Sequence, residues 1–244
     1  SIDLNESVKY NQPGQSSISL NRVTGGSSSN ILGTLKSNGQ VWLVNPAGVL
    51  FGAGATVDVG GLLATTTNIS NESFMSGIYK FDEATESRGS VVLNQGNISA
   101  AEGGMVAFVA PGVGNNGSIT ANLGAVSLAS GDVFALDLHG DSLVNLTANA
   151  IEIGNLRAPD GTSLAAQIVQ GGLIEANGGK VTLSVQSASA LVDSAINMSG
   201  VIQARAVSQR GGAIVLSGGD AGTVFVSGSI DASGSIVING TTNL

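Results

Sequence analysis

The chain holds 244 residues, 36 of them glycine, with 42% hydrophobic but only 4% aromatic side chains, one histidine and no cysteine. Its core must therefore be built from Val, Ile, Leu and Ala, small and largely β-branched residues that favour strands. A net charge of −8 argues against nucleic acid or an anionic membrane surface as partner, the missing cysteine removes disulfide and thiol chemistry, and no apolar run approaches the roughly 18 residues of a bilayer span.

The opening "SIDLNESVKY" carries no basic-then-apolar leader and already alternates like a strand. It predicts that the sequence begins inside a longer precursor whose true N-terminus is missing. Next come "GTLKS" at 33–37 and "GQVWL" at 39–43. After Val44 the chain reaches Asn45-Pro46-Ala47-Gly48, then a second apolar strand, Val49 to Phe51, ending on Gly52. Pro46 fixes φ and Gly48 tolerates a conformation other residues resist, so 45–48 reads as a sharp corner between strands.

Residues 68–90, "NISNESFMSGIYKFDEATESRGS", break the alternation and concentrate Phe74, Tyr79 and Phe81. They predict an excursion, read as a hairpin, lying outside the main body. Trp42 faces outward on the alternation that turns Val41 and Leu43 inward. Such an excursion can cover it; alternatively Trp42, Phe74, Tyr79 and Phe81 form a surface for a sugar or a partner. Cover is the preferred reading.

From residue 96 a repeat emerges: "GNISA" (96–100), "GSITA" (117–121), "GLIEA" (172–176), "GVIQA" (200–204) and "GSIDA" (228–232), each followed by a G-x-V-x-L element. Steps of 21 (96 to 117), 28 (172 to 200) and 28 (200 to 228) residues leave no room for a crossover helix. Both elements alternate with period two; Ile174, Ala176, Val181 and Leu183 point inward and Leu173, Glu175, Lys180 and Thr182 outward. The joints are glycines, expected where φ is positive. Short strands winding in one sense stack as a parallel β-helix, here about ten turns and a rod on the order of 50 Å long. Its open ends need caps, one of them expected from residues preceding the sequence.

Two further stretches interrupt the repeat. In 131–171, "GTSLAAQIVQGG" spaces Leu164, Ile168 and Val169 as a short helix, capped by Thr162 or Ser163 and ended by Gly171. In "SASALVDSAINMSG" (187–200) Ala190, Leu191, Ala195 and Ile196 suggest another. The fold expected is all-β, with hairpin excursions and one or two short helices, in a single unit spanning 1–244.

Chemistry is sparse. Asp137, His139 and Asp141 alternate in "LDLHGDSL" and would share a face if the strand continues through Gly140, as acid, base or metal ligands; solvent-facing side chains beside an inward Leu136 and Leu138 are the preferred reading. Asp82, Glu83 and Glu86 read as a solvated loop. Asn68-Ile69-Ser70 and Asn197-Met198-Ser199 match the glycosylation acceptor pattern, which chance predicts in so Asn- and Ser-rich a chain. No phosphate loop, zinc spacing or Ca²⁺ repeat occurs, so no cofactor or metal is expected.

The block "ISLNRVTGGSSSNILGTLKSNGQVWLVNPAGVLFGAGATVDVGGLLATTTNIS" (18–70), with "GDVFALDLHGDSLVNL" and the later coils, resembles the N-terminal secretion domain of two-partner secretion exoproteins, the filamentous haemagglutinin family. The resemblance implies a right-handed parallel β-helix with extra-helical hairpins and no enzymatic activity. It implies a monomeric targeting domain of a large adhesin or haemagglutinin-like virulence protein, recognised by the periplasmic domains of a cognate outer-membrane barrel transporter. The exoprotein would pass through the periplasm of a Gram-negative bacterium, cross the outer membrane unfolded and fold outside, secreted or at the cell surface, where its remainder meets the host cell. The family's Asn-Pro-Asn-Gly secretion motif maps onto Asn45, Pro46, Ala47 and Gly48; Ala47 departs from it. Two other classes stay open: a binding module for a host glycan or haem-carrier protein, and a β-helical polysaccharide-degrading enzyme.

Overall fold

The structure is a computed structural model in which residues 1–83, 89–140, 143–147, 155–186, 194–219 and 222–243 are described. Three parallel sheets of eight strands each run the length of the molecule. Each coil gives one strand to each sheet in turn. Coils 1 to 4 comprise Ser7–Tyr10, Ile18–Arg22 and Ser29–Ile31; Thr34–Ser37, Gln40–Val44 and Val49–Phe51; Thr56–Val59, Gly61–Thr65 and Val91–Asn94; Asn97–Ala100, Met105–Ala110 and Gly112–Asn115. Coils 5 to 8 comprise Ser118–Thr120, Ala125–Ser130 and Ile168–Gln170; Leu173–Glu175, Lys180–Val185 and Ile196–Met198; Val201–Ala204, Ala213–Ser217 and Thr223–Val226; Ser229–Ala232, Ile236–Asn239 and Thr241–Asn243. We name the sheets first, second and third in that order. The fold is the expected parallel β-helix, with eight coils among the described residues rather than ten. At about 4.8 Å per coil the stacked length is roughly 35 Å.

Inward rows stack in register. Leu35, Val57, Ile98, Ile119, Ile174 and Ile202 line one wall, and Val41, Leu62, Val106, Val126, Val181 and Ile214 another. All are almost fully buried, and Phe51 stacks on Phe108 inside the same core.

The repeat glycines have a different cause from the one the sequence suggests. Gly117, Gly172, Gly200 and Gly228 are not among the positive-φ glycines. Each lies against the glycine one coil earlier, where an added Cβ would fall 2.0–2.2 Å from its carbonyl oxygen. Close backbone approach at the coil joint is what excludes a side chain.

In the second-sheet strand of the first coil the inward positions are polar, Ser19 and Asn21, stacked on Val41 and Leu43. Tyr10 Oη donates to Asn21 Oδ1 (2.8 Å), and Asn21 Nδ2 donates to the Ser19 and Trp42 carbonyls.

One inward row turns polar in mid-rod. Asn94, Asn115 and Gln170 are fully buried. Asn94 Nδ2 donates to Asn115 Oδ1 and Asn115 Nδ2 to Gln170 Oε1, both at 2.8 Å, and Gln170 Nε2 donates to Gly172 O at 2.9 Å. The two side-chain bonds thus join coil 3 to coil 4 and coil 4 to coil 5. Asn115→Ala strands an amide on either side and should cost about 2 kcal/mol; chemical denaturation checks this, and an unchanged midpoint would deny the ladder a structural role.

Both long excursions, 66–90 and 131–167, leave between the second and third sheets, the corner that also carries 45–48. The first closes at its root as a hairpin does, through the antiparallel bridge between Asn68 and Glu83, but its body is not two paired strands. It forms a one-turn helix, Asn71–Met75, capped by Ser70 Oγ on Ser73 N–H, then a strand, Lys80–Phe81, that pairs with Phe134–Leu136 of the second excursion; Phe134–Leu136 pairs in turn with Val144–Leu146. The result is a three-stranded antiparallel sheet lying on the rod.

Neither expected helix is present where the structure describes those residues. Ile168–Gln170 is a coil strand paired on both sides. Leu164 instead packs outside the third sheet with Leu156 and Ala158, over Leu50, Val91 and Leu93. Their helical spacing joins residues from two different layers. Ile196 likewise begins a strand, while Ala190 and Leu191 lie outside the described residues. Among the described residues no helix is long and apolar enough to cross a membrane.

Candidate functional site

The corner at 45–48 is built around one buried side chain. Asn45 is fully buried. Its Oδ1 accepts from Ala47 N–H (2.9 Å), and its Nδ2 donates to Ser27 O (3.0 Å) and Ser29 Oγ (2.9 Å) of coil 1. The backbone closes the turn through Gly48 N–H to Asn45 O (2.9 Å), and Asn45 N–H donates to Thr65 O of coil 3 (2.9 Å). Gly48 has φ +97°, and a Cβ there would come 2.8 Å from Val91 O. One four-residue corner is therefore tied to the coils on both sides. Pro46 and Ala47 keep partial exposure. Ala47 contributes only its N–H, so the turn forms without a side-chain amide at that position.

The aromatic residues lie a short way along the second sheet. Trp42 and Phe81 are fully buried. Trp42 meets Tyr79 edge-on at 4.8 Å and Phe74 at 5.8 Å, and Phe81 stacks on Phe134 at 4.4 Å. Trp42 Nε1 donates to Gln40 Oε1 (3.1 Å). The excursion covers Trp42. Trp42 and Phe81 present no exposed ring face, although alternation turns Trp42 outward; Phe74 and Tyr79 are half-buried in the same cluster.

A model of the TPS secretion domain matches residues 1–238. The chain belongs to the TPS secretion domain family. It is similar to a heme/hemopexin-binding protein of Haemophilus influenzae, 32% identical over 88% of this chain and 24% of that protein, and to its counterpart in strain Rd, 35% identical over 90% of this chain and 23% of that protein. The chain thus spans about a quarter of these relatives. The crystal structure of the HMW1 secretion domain from Haemophilus influenzae superposes with a TM-score of 0.71 at 27% identity, covering 97% of this chain and 63% of that one. The TPS domain is accordingly the secretion domain of a two-partner secretion exoprotein, a class secreted through the outer membrane of Gram-negative bacteria with a cognate transporter.

The remaining candidates of the TPS domain do not converge. Asp137 ends a strand rather than continuing one. Its Oδ1 accepts from the N–H groups of His139 (3.0 Å) and Gly140 (2.8 Å), and these bonds hold its carboxyl below the usual carboxylate range. Asp137 and His139 are exposed; Leu136 is buried and Leu138 half-buried, as the solvent-facing reading expects, and Asp141 lies outside the described residues. Asp82 pairs with Lys80 at 2.8 Å, Glu83 accepts from Asn68 Nδ2, and Glu86 lies outside the described residues. Asn68 is thereby engaged in the fold, and Asn197 Oδ1 is buried. Among the described residues no cluster of three metal-ligating side chains occurs.

Arg22 is a residue that sequence reasoning missed. Its Nε donates to Asn68 Oδ1 (2.8 Å), its Nη1 to Asn71 Oδ1 (2.6 Å) and its Nη2 to Ile69 O (2.6 Å). It pins the root of the first excursion to coil 1, and nothing in a lone arginine at the end of a strand announces three partners 46 to 49 positions away.

The second excursion carries an acid-sensitive turn. Burial acts to raise the Asp160 carboxyl but is outweighed by hydrogen bonds from Thr162 and from Gln95 Nε2 (2.8 Å), so it sits below its ordinary range. A carboxylate depressed in the folded state stabilises above its unfolded value, about 3.9, and loses that contribution as pH falls through the folded value. Asp160→Asn should flatten the acid limb of a melting-temperature profile slightly below about pH 4, with solvent screening keeping the effect small; an unaltered limb refutes this.

Proposed function

We propose that residues 1–244 act as one unit that targets a large exoprotein to its transporter, and that Asn45, Pro46, Ala47 and Gly48 are its secretion motif. The observation that carries this is the corner itself: a family-like Asn-Pro-x-Gly whose asparagine bonds to coil 1 and whose backbone bonds to coil 3. The periplasmic domains of the transporter read this segment while the chain is extended, by strand addition. The unfolded exoprotein crosses from the periplasm, and coils close one on another outside, which favours forward movement. The domain works without catalysis or cofactor. The rest of the exoprotein meets the host surface as an adhesin.

The test is co-expression with the cognate transporter, scoring the fragment in the medium. Wild type should appear there and Asn45→Ala should not; equal export of both removes the motif from the account. A second reading, a module binding haem or a haem-carrier protein, is favoured by the names of the two relatives. Retention of hemopexin by the isolated domain would support it.

A further inference from the structure

A groove runs along the rod between the second sheet and the overlying antiparallel sheet. It consists of two adjoining hollows of about 660 and 210 Å³; a third of about 360 Å³ opens beside them along the joint residues Gly60, Gly103 and Gly104, and all three share Gln40. Its floor is the outward row Ile18, Gln40, Gly61, Met105, Ala125 and Lys180, one residue per coil, with all but Gly61 lining the hollows directly. From coil 1 to coil 6 it spans roughly 24 Å. Its outer wall is the segment around Ile78 and Tyr79 and the turn from Asp137 to Gly140.

We propose that this groove binds a short, neutral oligosaccharide. Four observations support that class. The floor repeats once per coil, about 4.8 Å, close to the length one pyranose ring adds to an extended glycan. An extended peptide places same-face side chains about 6.7 Å apart and falls out of step with the floor. The lining mixes hydroxyl-binding groups (Gln40, Asp137, Thr182) with apolar surface (Ile18, Met105, Leu138), and Tyr79 adds a ring at one wall. Asp137 lines two of the hollows; its Oδ1 is taken by the turn, which leaves Oδ2 to accept from a sugar hydroxyl.

Charge does not favour acidic glycans: Lys80 is paired with Asp82, and Lys180 and Asp137 are one cation and one anion in the same hollow, so the lining holds no excess positive charge. The site binds rather than cleaves. Hydrolysis needs two carboxylates flanking one bond, and Asp137 is the single carboxylate among the described lining residues. The proposal does not rest on the secretion reading.

The test uses the folded domain on an array of neutral oligosaccharides, sulfated and sialylated oligosaccharides, and a peptide library, followed by calorimetric titration of the retained probe. Two variants are compared. Ala125→Phe fills the floor from a half-exposed position, and Asp137→Asn keeps an oxygen for the turn while removing the charge. Thermal melts establish that both are folded, and their export is scored in parallel so that failure of targeting is read apart from failure to bind. Retention of neutral oligosaccharides, with Kd raised about tenfold or more in each variant, is the expected result, corresponding to loss of one well-placed contact. No retention, retention of acidic glycans or peptides alone, or variants that bind like wild type would overturn the assignment.

Discussion

Asn45→Ala should lower stability by about 3 kcal/mol and stop export. Its side chain, itself fully buried, satisfies Ser27 O, Ser29 Oγ and Ala47 N–H. Truncation leaves these groups without their partner, Ser29 Oγ in a buried position, each costing on the order of 1 kcal/mol. It also unties coil 1 from coil 2. Asn45→Asp is the informative companion: it keeps the acceptor for Ala47 but replaces both donated bonds with a buried charge, and should be no better tolerated. Denaturant midpoints and secretion assays, read together, divide the two roles. A variant that folds normally yet stays in the cell assigns Asn45 to recognition. One that melts early and is still exported assigns it to the corner alone.

Trp42→Ala should cost about 4 kcal/mol, the range for removing a buried aromatic. The indole is the centre of a cluster that holds Phe74, Tyr79 and Phe81 from the first excursion against the second sheet. Without it the helix Asn71–Met75 and the strand Lys80–Phe81 lose their seat, while the coil core built on Val41 and Leu62 is untouched. Limited proteolysis should therefore cut within 68–83 before the rod unfolds, and Trp42→Phe should restore much of the protection. Were Trp42 a ligand-binding residue on an open surface, the melt and the digestion pattern would both match wild type.

Several features were legible because they repeat. Ile174, Ala176, Val181 and Leu183 alternate inward as written, since a strand has only two faces. The spacing of G-x-I-x-A elements left too little chain for helices, which forced coils. The corner at 45–48 was legible from Pro46 and Gly48, whose backbone preferences are local. The helix inferred at 162–171 failed for the opposite reason. Leu164 and Ile168 stand four apart, but one caps the outside of the rod and the other fills its inside, a division no local pattern carries. Asn94, Asn115 and Gln170 occupy inward positions that alternation alone would have given to apolar residues; amide pairing across coils 21 and 55 positions apart makes them tolerable.

The sequence by itself determined the winding: period-two strands, small β-branched core residues and glycines at fixed joints admit one sense of stacking and little else. Tertiary structure alone decided what becomes of the outward rows. Trp42, Leu63 and Ala107 are buried, although they sit on the face that alternation assigns to solvent, because residues from 68–83, 134–138 and 143–146 fold back over them. Burial on the outside of a rod depends on which distant chain arrives to cover it, and strand periodicity holds no record of that.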